Sequence, residues 1–216
     1  MPEAPSTAAA PVRAGYLFEL GVVAAGLWVG FRFDVVPGGQ VGVDLLLALA
    51  GWWVGARMVA DRRGLPAARL ALGATWPAVL AALALTIAWV LLTASTTADV
   101  LVRGEALGLL GGYGNWHQLA WGPSELGGTR LFTSLQHAWP VAIAAQLLGA
   151  WWLLVVAVGR RGSRAVVRAG AVIGSIGLVV ALAAPVVGVS DDAILLATPL
   201  RGLGFWWGAV LGAAGP

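Results

Sequence analysis

The chain has 216 residues, 59% of them apolar and only 11% charged, with 13 basic against 10 acidic side chains. Soluble domains typically carry about 45–50% apolar and about 25% charged residues, so a soluble fold able to cover its own surface is excluded, and the lipid bilayer is the solvent that fits. There is no cysteine, which excludes disulfides and thiolate metal sites, and the basic residues sit in connections between apolar blocks, which excludes a basic stripe tracking nucleic acid.

In chain order, Met1–Arg13 is polar and Pro/Ala-rich and is expected to be a disordered tail. Residues 14–216 are then expected to form one transmembrane domain, its first apolar block a retained anchor rather than a cleaved signal peptide. A membrane helix needs about 20 mostly apolar residues to cross roughly 30 Å of hydrocarbon. Six blocks meet or approach that length: Gly15–Phe31, Val41–Val59, Leu70–Ala94, Trp139–Val158, Val166–Val189 and Ala193–Ala214. The first is short and carries Glu19, and the last carries Arg201. The expected fold is all-α, a polytopic transmembrane helical bundle of about six spans.

Charge asymmetry orients the spans. Arg13 precedes the first, Arg57, Arg62, Arg63 and Arg69 surround the second connection, and Arg160, Arg161, Arg164 and Arg168 surround the fourth. The third and fifth connections carry Asp99, Glu105, Glu125, Asp191 and Asp192 against only Arg103 and Arg130. This alternation places both termini and the arginine-rich connections in the cytoplasm. Every basic residue is arginine, and glycine and alanine abound, a bias of GC-rich bacterial genomes, so the expected location is the bacterial cytoplasmic membrane. Many of the twelve tryptophans, among them Trp28, Trp116, Trp121 and Trp139, fall near expected interfaces, where an indole finds both apolar and polar surroundings. The pairs Trp52–Trp53, Trp151–Trp152 and Trp206–Trp207 are expected between helices, with small residues letting backbones approach.

An ionisable side chain within a span is a candidate for function, because desolvating it is costly. Asp44 opens the second span and Arg201 lies inside the last, both toward the outer leaflet, so a pair between them is possible. Glu19 fits an interfacial position on the cytoplasmic side, and Asp44 a helix N-terminus favoured by the macrodipole. The third connection, Ser95–Ala138, is long, and such loops often carry function. It holds both histidines, His117 and His137, with Asn115, Trp116, Gln118 and Trp121. Two histidines without an organised carboxylate set imply no metal site. Its apolar block Ala106–Leu110 is too short to span and suits a re-entrant or surface-lying helix.

Several motifs occur in the order of one known family. Pro37-Gly38-Gly39-Gln40-Val41-Gly42-Val43-Asp44-Leu45-Leu46, ending in Ala50-Gly51, is followed by Arg69 and Trp76-Pro77-Ala78, then by Asn115-Trp116. Next come His137-Ala138-Trp139-Pro140, running to Ala144-Ala145-Gln146, and Thr198-Pro199-Leu200-Arg201 with Gly208-Ala209-Val210-Leu211. This series resembles the membrane-bound acyltransferase-3 family, the O-acetyltransferases that modify cell-surface glycans. The likeness covers roughly Gly15 to Ala213.

The resemblance implies a helical bundle carrying an acyl group from a cytoplasmic donor, commonly acetyl-CoA, to a hydroxyl on an envelope sugar. It also implies an arginine and a histidine in the first span, the histidine suited to general-base work. Those positions fall at Gly21 and Arg32, and the family's glutamate pair falls at Ala144 and Ala145. Family members have about ten spans, more than this chain. The leading expectation is therefore a degenerate, non-catalytic member, an accessory subunit for envelope-glycan enzymes or a binder of a lipid-linked sugar, with no tightly bound cofactor. One alternative is an active acyltransferase using acyl-CoA, with His137 acting beside Asp44 or Arg201. Another is a small transporter or channel with Asp44 and Arg201 in its path. The polar residues singled out for a site are Asp44, Asn115, His117, Gln146 and Arg201, with His137 the weak catalytic candidate.

Overall fold

A computed structural model describes residues 9–33, 35–60, 96–121 and 138–215, with Leu135 and seven isolated positions between Gly73 and Ala88. The expected third span, Leu70–Ala94, lies outside the described residues except at those seven positions, and so does His137. The architecture is all-α, with no strand among the described residues. Its helices are α1 (Ala9–Arg32), α2 (Val41–Ala60), α3 (Thr96–Leu110), α4 (Gly114–Trp121), α5 (Trp139–Val158), α6 (Ser163–Ala183), α7 (Asp191–Leu196), α8 (Thr198–Arg201) and α9 (Leu203–Ala214). A 3-10 turn, Gly159–Arg161, joins α5 to α6. Three helical stretches are long and apolar enough to cross a membrane, Val41–Val59, Trp139–Arg161 and Ser163–Ala183, and two shorter apolar helices accompany them. Helix α6 shows the membrane logic most plainly: it buries only Val166, Gly170 and Gly174, four residues apart, while Val172, Ile176, Val179 and Leu182 face outward. In water so large an apolar face would be an association site; in lipid it needs no cover.

Helix α2 starts after a turn in which Gly38 adopts φ +74°, a left-handed conformation that suits glycine. Asp44 in its first turn and Arg57 in its last complement the helix dipole. Helix α1 begins at Ala9, so residues 9–13 of the expected tail are helical, as their alanines favour.

The tightest packing joins α2 to α9. Gly51 and Gly55 on α2 face the carbonyl oxygens of Phe205 and Ala209, and Gly204, Gly208 and Gly212 on α9 face those of Asp44, Ala48 and Trp52. A methyl group at Gly51, Gly55, Gly208 or Gly212 would overlap the opposing carbonyl oxygen. The spacing of four puts each helix's glycines on one stripe, and rising residue numbers pair with rising ones, so the two helices run parallel. This is the close backbone approach that small residues make possible in lipid, where the hydrophobic effect does not hold helices together. Helix α1 packs antiparallel on α2, with Gly42 against the backbone of Ala24 and Trp28.

Helix α6 fills the other side of α9, running antiparallel, with Gly170 beside Val210, Gly174 beside Trp206 and Gly177 beside Leu203. Trp151 of α5 is wholly buried and meets Trp206 edge to face, ring centroids 5.5 Å apart. The Trp206 indole donates to the Gly170 carbonyl at 2.7 Å, which satisfies its N–H away from water. Trp139, expected at an interface, is instead 1% exposed, its ring edge-on to Trp28 at 5.6 Å. It starts α5 where α1 ends, and the facing aromatic ring covers it.

The expected continuous span Ala193–Ala214 is broken into α7, α8 and α9. Ala197 is extended (φ −72°, ψ 122°) and precedes Thr198-Pro199, in keeping with the bias of residues near proline away from helix. Gly202 then separates α8 from α9. At 12 residues α9 is roughly 18 Å long, too short to cross alone. In the third connection, α3 and α4 form a helical hairpin, more extensive than the short helix expected at Ala106–Leu110.

The helix directions put Arg57, Arg160, Arg161, Arg164 and Arg168 at one end of the bundle and Asp44 and Asp191 toward the other. The glycine stripe makes a direct test. Gly51→Ala and Gly208→Ala should each lower unfolding stability in detergent by about 1–3 kcal/mol, the usual range for overpacking. Gly26→Ala and Gly149→Ala, where an added methyl meets nothing within 4 Å, should leave it unchanged or slightly raised. Equal losses in all four variants would show that helix propensity, not backbone approach, sets the effect.

Candidate functional site

The polar residues gather in the half of the bundle opposite the arginines, around the single turn α8. Thr198 opens that turn and Arg201 closes it, so one short helix holds a member of each of two polar clusters.

The first cluster centres on Gln146, seven residues into α5 and so roughly 10 Å below its start. Its Nε2 donates to the Gly112 carbonyl at 2.6 Å and to Asn115 Oδ1 at 2.8 Å. Its Oε1 accepts from Trp116 Nε1 at 3.0 Å and from the Thr198 hydroxyl at 2.5 Å. Because the indole N–H can only donate, this contact fixes which end of the Gln146 amide is oxygen. Asn115 Nδ2 donates to the Leu196 carbonyl at 2.8 Å and to Thr198 Oγ1 at 3.0 Å. The Thr198 hydroxyl therefore accepts from one amide and donates to the other. Asn115 is completely buried and Thr198 nearly so, while Trp116 is 40% exposed and seals the outer edge.

Two of these bonds go to backbone that is not helical. The Gly112 carbonyl lies at the tip of the α3–α4 hairpin, where Gly112 has φ +69°. The Leu196 carbonyl lies at the break between α7 and α8. Away from water an unsatisfied backbone group costs several kcal/mol, so irregular backbone at membrane depth is tolerated only where something pairs with it. Here side-chain amides do so.

The second cluster is the ion pair expected between Asp44 and Arg201. Arg201 Nε lies 3.1 Å from Asp44 Oδ1, and Arg201 Nη2 donates to the Gln40 carbonyl at 2.9 Å. The Nε makes no well-directed hydrogen bond, so the pair is a charge contact rather than a bidentate fork. The Arg201 side chain is 14% exposed and that of Asp44 38%, so the carboxylate faces partly outward while the guanidinium is held inside. The Gln40 carbonyl, in the turn before α2, also accepts from the Val43 N–H, and Arg201 supplies its second donor. This is a third piece of irregular backbone anchored by a polar side chain.

Of the sequence candidates, Asp44 and Arg201 meet each other, and Asn115 and Gln146 meet through their amides. His117 stands apart: it projects from the far side of α4 onto α3, its ring against Gly104 with Nε2 nearest. His137 lies outside the described residues. Gly21 lies on α1 beside Leu49, and Ala144 and Ala145 lie on the same helix as Gln146. Thr198 and Trp116 belong to the network but were not singled out for a site. The signal for Thr198 was its position three residues before Arg201, on the same turn, next to a proline. Among the described residues, no three histidine or acidic side chains come together in a metal-binding group. No family model matches this chain, and no curated protein and no solved structure is significantly similar to it.

Gln146→Leu should be the most damaging change in the network, since it strips partners from the Gly112 carbonyl, Trp116, Asn115 and Thr198 together. The expected loss is about 2–4 kcal/mol, from buried groups left unpaired and the modest worth of single interhelical bonds. Thr198→Val, of similar shape, should cost about 1 kcal/mol. Denaturant titration in detergent reads both, and equal costs would show that Gln146 is not the hub.

Proposed function

We propose that the protein is a non-catalytic integral membrane protein with an acyltransferase-3-like scaffold. Its role is that of an accessory subunit in envelope-glycan modification, or of a binder of a lipid-linked sugar. The observation that carries this reading is the saturation of the polar network. Asn115, Gln146 and Thr198, all at positions within the family-like motifs, direct their hydrogen bonds to one another and to backbone carbonyls. A group performing acid–base chemistry needs a lone pair or proton aimed at substrate; these three are committed to structure. The positions at which the resemblance calls for histidine, arginine and two glutamates hold Gly21, Arg32, Ala144 and Ala145. Convergence of four separated motifs on α8 supports the scaffold resemblance, because Asp44, Asn115, Gln146 and Thr198–Arg201 are scattered over more than 150 residues of chain.

The same reading places the protein in the bacterial cytoplasmic membrane with its arginine-rich end inward, as the positive-inside rule favours. The polar clusters then face the outer leaflet, the side on which envelope glycans are met.

Titration of acetyl-CoA and coenzyme A into the purified full chain in detergent, by calorimetry, should give no binding at micromolar concentrations. Micromolar binding accompanied by release of free thiol would overturn the non-catalytic reading. Topology is checked separately: alkaline phosphatase fused after Gly188 should be active and fused after Gly162 inactive, and the reverse pattern would turn the bundle over.

A further inference from the structure

At the arginine-rich end, the chain turns from α5 into α6 through the 3-10 turn, and the corner leaves a groove of about 700 Å³. Arg161, Arg164 and Arg168 line it together with Val158, Val172 and Ile173. Spacings of three and four place the three arginines on one face of the turn and the first coils of α6. Val172, one turn further on, continues that face, and it is 60% exposed. All three arginines are exposed, and among the described residues no acidic side chain lines the groove. The N-terminus of α6 opens at the same point, capped by Gly162 with no side chain to accept its N–H groups, which adds positive potential.

We propose that this groove binds an anionic phospholipid, the arginines holding its headgroup phosphate and one acyl chain lying along Val172 and Ile173. Charge explains half of the groove: guanidinium groups pair with phosphate through two parallel hydrogen bonds, and basic pockets between membrane helices suit anionic headgroups. Shape explains the other half. A soluble phosphate would meet apolar walls at Val158, Val172 and Ile173 and gain nothing from them, whereas a lipid carries its own apolar part. The groove also runs without interruption into the outward apolar face of α6 at Ile176 and Val179, so a lipid whose phosphate sits at Arg164 and Arg168 lies parallel to its neighbours in the leaflet. The expected arginine side of the bundle is the side whose leaflet is negatively charged.

The test is native mass spectrometry of the full chain in detergent, with phosphatidylglycerol and phosphatidylcholine of identical acyl chains offered together. Phosphatidylglycerol adducts should be favoured by roughly tenfold, and Arg164→Gln/Arg168→Gln should abolish the preference. Arg103→Gln, an exposed arginine on α3 away from the groove, should leave it intact. A preference that survives the double substitution, or falls equally in Arg103→Gln, overturns the site. Val172→Asn keeps every arginine and should weaken phosphatidylglycerol binding several-fold; unchanged binding overturns the placement of the acyl chain. Glycerol phosphate at millimolar concentration should not displace the lipid. Full displacement would make the groove a site for free phosphate groups and overturn the lipid assignment.

Discussion

Backbone contact between α2 and α9 governs much of this bundle. In lipid, apolar side chains gain nothing by leaving solvent for one another, so association depends on close packing and on polar contacts. Gly51, Gly55, Gly204, Gly208 and Gly212 remove the side chains that would hold the two helices apart. The consequence reaches past the seam. Gly204 seats α9 on the Asp44 carbonyl, and that contact brings Arg201, three residues earlier, within reach of the Asp44 carboxylate and the Gln40 carbonyl. The ion pair is thus downstream of the glycines. A charge contact of imperfect geometry is a weak source of stability once desolvation is counted, and it serves better as a device that fixes the register of α8 against α2.

The second constraint follows from having irregular backbone in apolar surroundings. The chain breaks helix at three places in this half of the bundle: before α2, at the α3–α4 tip, and between α7 and α8. At each, a polar side chain from a distant part of the sequence pairs with a carbonyl: Arg201 with Gln40, Gln146 with Gly112, and Asn115 with Leu196. The separations, 161, 34 and 81 residues, mean that these bonds form only when the tertiary fold is in place. They add cooperativity that helix propensity cannot supply.

Hydropathy was enough to place α2 and α5 closely, because their apolar runs are bounded by Pro/Gly-rich or arginine-rich segments. It could not reveal the break in the last span, since Ala193–Ala214 is as apolar broken as continuous; the local signs, Pro199 and Gly202, were visible but outweighed by the run. Trp139 was misplaced for a related reason: an indole at the end of an apolar block fits an interface and a core equally, and only the arrival of Trp28 decides. The Asp44–Arg201 pair was within reach because both charges fall at similar depth in apolar segments, where a partner is close to obligatory. Thr198 escaped notice because a hydroxyl in a membrane helix ordinarily bonds to its own backbone. Its role depends on two amides that arrive from elsewhere. The resemblance to acyltransferases drew on the same residues, and the structure explains them without any chemistry: they sit where helices break.

That explanation bears on how an inert scaffold would arise from an active one. Residues that position irregular backbone are needed for folding whether or not a reaction occurs, so losing a base and a carboxylate pair need not disturb them. Gly21, Ala144 and Ala145 are small, and small residues in these places leave room without leaving a charge stranded in lipid. Retaining one member of a catalytic pair would be costlier than losing both, because the survivor would keep its desolvation penalty and lose its partner. A chain that keeps Asp44 with Arg201, and Asn115 with Gln146, while carrying neutral residues at all but one of the positions expected to be ionisable, follows that rule. The exception is Arg32, at the end of α1, where its long stem can carry the charge toward water.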